Sequence, residues 1–174
     1  LAQQVQFIIE VDKLKQIRRQ TYLTDASRHE NSVEHSWHLA VMGMLLFEHA
    51  NHPALDLGRV IRMVLVHDIV EIDAGDTFIY DDAGNRDKTE REQAAADRLF
   101  SILPEDQGNM LRDLWEEFEA GRTPEARFAN SLDRFQPMLH NIVTHGKSWK
   151  EHRIRKSQVV AKNQVMETGS NRLW

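Results

Sequence analysis

Cysteine is missing from the chain altogether, which excludes a disulfide framework and any thiolate metal site, so a bound metal would have to use nitrogen and oxygen donors. Long apolar runs are missing too. None approaches the roughly 18 residues a membrane span needs, and no basic-then-apolar leader opens the sequence. A cytoplasmic protein without a membrane partner is the resulting expectation. Positive charge is in deficit, with 22 Lys and Arg against 27 Asp and Glu and a formal charge of −5. Phosphate backbones reward positive surfaces, so a binder of nucleic-acid polymers is disfavoured, whereas a small phosphate ester stays open. Strand-like alternation, internal repeats and low-complexity tracts are also lacking. An all-α domain, a bundle of about six or seven helices, is therefore expected. The 174 residues, 41% hydrophobic and 28% charged, suit one soluble domain spanning residues 1–174, with a core over about 14–145 and a helical tail over 147–174.

What is present centres on residues 60–76, VIRMVLVHDIVEIDAGD. Apolar residues surround nearly the whole circumference, which predicts a buried central helix. His67 and Asp68 stand side by side within it, and Glu71, Asp73 and Asp76 follow. Acids collecting near the stop at Gly75 meet the negative end of the helix dipole, where a compensating cation would help. A buried His–Asp hydrogen bond with solvated acids beyond it would explain the same stretch, and the residues alone divide evenly between the two.

Elsewhere the pattern is helical. Phe7, Val11 and Leu14 mark a first helix from about Gln3 to Arg19, where Arg18 and Arg19 suit helix termination as well as anion binding. A polar connector containing Tyr22 leads to Asn31 and Glu34, a capping box for a helix reaching about Ala50. His35 heads its stripe of Leu39, Met42 and Leu46, a position that taken alone favours a satisfied core histidine, with His38 nearby. Residues 77–87 read as a surface loop or a lid. Thr89 with Glu92, Pro104 with Gly121, and Thr123-Pro124 bound three more helices. The last carries Phe128, Leu132, Phe135 and Leu139, with Asp133 on the flank and Pro137 as a kink point. The basic run from Lys147 to Lys156 reads as a solvated face, and residues 167–174 as a frayed tail or a contact with another subunit.

Two histidines and two aspartates, His35, His67, Asp68 and Asp133, thus lie in order on three predicted helices. This arrangement resembles the HD superfamily of metal-dependent phosphohydrolases. Ser32-Val33-Glu34-His35, then His67-Asp68-Ile69-Val70-Glu71 with Gly75-Asp76, then Asn130-Ser131-Leu132-Asp133 are similar to the three motifs of its branch of 5′-deoxynucleotidases. The likeness covers about Leu14 to Asn141. It implies that the four residues ligate a metal ion, that Glu71 transfers protons, that Asp76 acts at the sugar and catalytic centre, and that Arg19, with Arg18 as rival, holds the phosphate. Tyr22 stands where that branch usually has a tryptophan favouring deoxyribose. A homodimer is also implied.

Imidazole nitrogens with carboxylate oxygens suit one borderline divalent ion, among Mn, Co, Fe, Zn, Ni and Mg. No histidine falls between Ile69 and Leu132, the interval from which dinuclear HD enzymes draw extra ligands, so a single ion is expected. Glu71 lies four residues after His67 and would share its helix side. The leading expectation is an enzyme, a phosphomonoesterase releasing phosphate from (deoxy)nucleoside 5′-monophosphates. A phosphodiesterase or other phosphate-ester hydrolase, and a nucleotide-binding module without activity, are the alternatives.

Overall fold

The computed structural model describes all of residues 1–174. Helix α1 (Ala2–Val11) passes through a 3-10 turn, Asp12–Gln16, into β1 (Arg18–Tyr22), which pairs antiparallel with β2 (His29–Asn31). The first helix therefore ends well before Arg19, and the connector is half of a ribbon. Its cause is tertiary: Ile17 turns extended and its carbonyl accepts the Ser32 N–H at 3.1 Å, an alternative to further helical bonding. The fold is otherwise all-α. Its longer helices are α1, α2 (Ser32–Leu46), α3 (Leu57–Val66), α5 (Lys88–Phe100), α6 (Glu105–Ala120) and α7 (Pro124–Val143), joined by short α4 (Glu71–Ala74), α8 (Lys147–Glu151) and α9 (Lys156–Asn163).

The caps explain most boundaries. Asn31 accepts from the Glu34 backbone N–H at 2.9 Å and the Glu34 carboxylate accepts from Asn31 at 3.1 Å, the reciprocal pair that opens α2. Thr123 Oγ1 accepts from the Ala126 N–H at 3.2 Å, with Pro124 in the first turn of α7. Gly121 ends α6 at φ +59°, a left-handed position where a side chain would be strained. At α5 the expected Thr89 box does not form. That helix starts at Lys88, and Glu92 is buried and paired with Lys88 Nζ at 3.1 Å.

The central helix differs most from expectation. It is broken: α3 stops at Val66, and residues 67–70 form turns before α4. Hydrogen bonds tighten to the i→i−3 pattern, Ile69 to Val66 at 3.0 Å and Glu71 to Asp68 at 3.0 Å, before the wider pattern resumes at Ala74. Tightening rotates successive side chains, so all of Val66 to Glu71 is buried. Upstream, α3 is amphipathic, with Leu65 46% exposed. The apolar ring read from sequence thus sums two segments that bury different faces.

Leu39, Val60, Met63, Val64, Phe128 and Leu132 are fully buried where α2, α3 and α7 meet. Along α7 the buried path runs from Phe128 and Leu132 to Gln136 and His140, while Phe135 and Leu139 are only half-buried. The tail is not frayed. Ser131 Oγ donates to the Met166 carbonyl at 2.9 Å, Ser170 Oγ donates to the His49 carbonyl at 2.6 Å, and Met166 is fully buried. No helix is long and apolar enough to cross a membrane.

Candidate metal centre and cleft

Three elements bring the ligand candidates together: α2 carries His35, the turn after α3 carries His67 and Asp68, and α7 carries Asp133. Ligand atoms of His35, His67 and Asp133 all lie within 4.8 Å of one another. Asp133 Oδ1 is 3.0 Å from His35 Nε2 and 3.8 Å from His67 Nε2. Asp68 stands at the edge of this group, its Oδ1 2.9 Å from His67 Nε2 and its Oδ2 accepting from Arg19 Nη1 at 2.9 Å.

The hydrogen-bond pattern fixes both imidazoles. His67 Nδ1 lies 2.9 Å from the Val64 carbonyl, which can only accept, so Nδ1 bears the proton. His35 Nδ1 faces Gln136 Oε1 at 3.1 Å; the Gln136 amide is oriented by donating Nε2–H to Glu30 Oε2 at 2.7 Å. Both Nε2 atoms therefore face carboxylate oxygens, with a lone pair in the neutral ring or with an N–H once the ring is charged. His67 Nε2 is buried and has no hydrogen-bond partner, although Asp68 Oδ1 is close. Lone pairs confronting lone pairs at this range repel unless a positive charge sits among them, and two imidazoles with two carboxylates form a donor set suited to a divalent ion. The residues present fit a metal.

Electrostatics point the same way. Burial would depress the His67 imidazole, but the charges of Asp68 and Asp133 outweigh it and raise it to about 10. His35 is raised too, with burial and Arg19 opposed by Asp133 and Glu30. For Asp133, burial pushes upward, but the imidazoles of His35, at 3.0 Å, and His67, at 3.8 Å, hold it well below the usual carboxylate range. Glu71 moves oppositely. Burial, then the Asp68 charge, push its carboxyl well above the ordinary value, and Ser32 Oγ donates to Oε2 at 2.6 Å. Asp76, turned inward after Gly75 at φ +74°, is raised by burial against the pull of Arg19.

Arg19 reaches this cluster from β1. Its Nη1 is 3.5 Å from Asp76 Oδ1 and 3.9 Å from Glu71 Oε1, Nη2 is 4.0 Å from Asp133 Oδ1, and Nε is 3.6 Å from Glu30 Oε1. Arg18, its sequence rival, is exposed on the opposite face of the strand. Above the cluster opens a cleft of about 70 Å³, lined by Arg19, Asp76 and Asp133 together with the aromatic residues Phe78, Tyr80 and Trp149. Neither Arg18 nor Tyr22 lines it. Tyr22 packs at 4.0 Å on the His29 ring, lies under Lys147 Nζ at 4.3 Å, and donates to Glu151 Oε1 at 3.3 Å. His38 lies 5.5 Å from the His140 ring, apart from the ligand group.

Sequence reasoning passed over Glu30, Gln136 and the role of Ser32. Gln136 carried a usable signal: it follows Leu132 by four residues and Phe128 by eight, on the core face of α7. Glu30 carried none, since its burial depends on the ribbon.

A family model described as HD domain matches residues 11–174. The 5′-deoxynucleotidase HDDC2 of Homo sapiens is 32% identical over 136 residues, covering 78% of this chain and 65% of that protein. Its Xenopus laevis namesake is 33% identical over 139 residues, covering 79% and 67%. The chain thus spans about two thirds of the length of these curated relatives, and slightly less for the human one. Among solved structures, a "Predicted metal-dependent phosphohydrolase" from Magnetospirillum magnetotacticum MS-1 is 55% identical with a TM-score of 0.94, covering 99% of this chain and 86% of that one. A conserved hypothetical protein from Pyrococcus furiosus, 22% identical with a TM-score of 0.65, covers 94% of this chain and 89% of its own and shares the fold.

Proposed function

The chain belongs to the HD-domain family, and on that premise we propose that it is a metal-dependent phosphohydrolase converting (deoxy)nucleoside 5′-monophosphates to nucleoside and inorganic phosphate. The observation that carries the reading is the gathering of His35, His67 and Asp133 with ligand atoms within 4.8 Å of one another, with His67 Nε2 left without a partner. His35, His67, Asp68 and Asp133 would hold one divalent ion. Such an ion supplies Lewis acidity toward water and phosphate oxygen. Its identity within the Mn, Co, Fe, Zn, Ni and Mg set is part of the test.

The chain's own groups have separable work. Glu71, whose carboxyl is pushed up by burial and oriented by Ser32, is suited to give a proton to the departing sugar oxygen and to take one from attacking water. Asp76 stands at the cleft wall, where a sugar hydroxyl would meet it. Arg19 offers a planar fork for the phosphate, and the aromatic residues of the cleft offer faces for a base. The relatives named 5′-deoxynucleotidase support the substrate class. Preference for deoxyribose is proposed more narrowly, because Tyr22 lies outside the cleft. A homodimer fits the exposed Ile8, Ile9, Met44 and Leu45, and light scattering tests it. A cytoplasmic site of action completes the proposal.

Phosphate release from ribo- and deoxyribonucleoside monophosphates, with Mn²⁺, Co²⁺, Mg²⁺ or Zn²⁺ added, is the direct test. Release should require metal and vanish in Asp68→Ala. Glu71→Gln should lower kcat by about 10²–10⁴-fold while metal still binds. A panel yielding no metal-dependent release would overturn the reading.

A further inference from the structure

Arg134 follows Asp133 on α7 and lines the cleft. Several polar side chains there are already engaged. Gln20 Oε1 is engaged by His152 at 3.1 Å, Thr77 Oγ1 accepts from Arg91 at 3.1 Å, Asn141 donates to the Pro137 carbonyl at 3.0 Å, and Asn163 donates to the Val159 carbonyl at 2.8 Å. Arg134 Nε, like Arg19 Nε, is shut off from solvent and has no hydrogen-bond partner; Asp133 Oδ2, at 3.8 Å, lies beyond hydrogen-bond reach. An arginine that merely coated the surface would keep its donors in water. This side chain is only 31% exposed, and a buried charged donor without an acceptor is costly.

Charge balance says which ligand it fits. Arg19 is shared among Glu30, Asp68, Glu71, Asp76 and Asp133, five carboxylates against one guanidinium. A dianion entering beside that wall needs a cation less heavily shared, and Arg134 faces one carboxylate, Asp133, at 3.8 Å. We propose that Arg134 is a second anion-binding residue of the cleft, receiving the phosphate of a small phosphomonoester on its guanidinium, whose Nε has no hydrogen-bond partner. The proposal rests on the phosphohydrolase reading for its substrate class, but its core, phosphate affinity, stands apart from turnover.

The test uses metal-loaded protein and inorganic phosphate as probe. Arg134→Gln should weaken phosphate binding by about tenfold or more in calorimetry, since a hydrogen bond to a charged group is lost. It should raise KM more than it lowers kcat and leave metal affinity unchanged. Arg134→Lys, keeping charge without the fork, should recover part of the loss. Phosphate affinity within twofold of wild type in Arg134→Gln would overturn the proposal. So would a parallel loss of metal affinity, which would make Arg134 a support for Asp133. If no ester is hydrolysed yet phosphate binding still depends on Arg134, the nucleotidase reading fails and the anion site stands.

Discussion

Arg19 and Arg98 are both arginines gripped by acids from distant parts of the chain, and they teach opposite lessons. Arg98 joins Asp73 of α4 and Glu10 of α1 in an ion-pair network with its side chain 47% exposed. Water and salt screen such a network, so it contributes little to the fold. Arg19 is 12% exposed and lies within 4.0 Å of five carboxylates. Bringing those acids together serves no packing purpose, and apolar residues of the same volume would be expected to stabilise the fold as well or better. The surface network ties elements together, whereas the buried one holds a set of charges that chemistry requires.

Three measurements would break or sharpen this contrast. Arg19→Ala strips the buried acids of their counter-charge and should cost about 3–5 kcal/mol in urea unfolding without metal. Added Mn²⁺ should restore more stability to the variant than it adds to wild type, and a cost below about 1 kcal/mol would place Arg19 in the class of surface pairs. Next comes Gln136→Leu, which removes the acceptor that orients His35. Metal affinity followed by Co²⁺ titration should fall about 10–100-fold; unchanged affinity would mean that the helix alone aims the imidazole. Smallest is Arg98→Ala, expected to cost less than about 1 kcal/mol and to lose even that in molar salt.

Much of the architecture was legible. Asn31 with Glu34, Thr123-Pro124 and Gly121 act through neighbours a few residues away, so their spacing alone announces the helix ends. His35, His67, Asp68 and Asp133 each suited a bland reading alone, and they stood out as an ordered set through its resemblance to the HD motifs. The rest depends on distant partners. Arg18–Tyr22, RRQTY, shows no alternation, and its strand exists because β2 pairs with it. The break after Val66 leaves no Pro or Gly to mark it, and both segments are apolar. Glu30 and Gln136 have the polarity of surface residues, and only the packed structure shows that they form a layer behind His35. The tail looked free because its anchors are backbone carbonyls and small hydroxyls, which leave no hydrophobic signature.

The orientation of the two imidazoles has a use outside catalysis. Each Nδ1–H is enclosed with an acceptor, the Val64 carbonyl or Gln136 Oε1, at 2.9 and 3.1 Å. Protons so sheltered exchange slowly with water and should give separate downfield resonances in a proton NMR spectrum. The protein thereby carries two native reporters within one bond network of its centre, able to register occupancy by a diamagnetic ion without label or substrate.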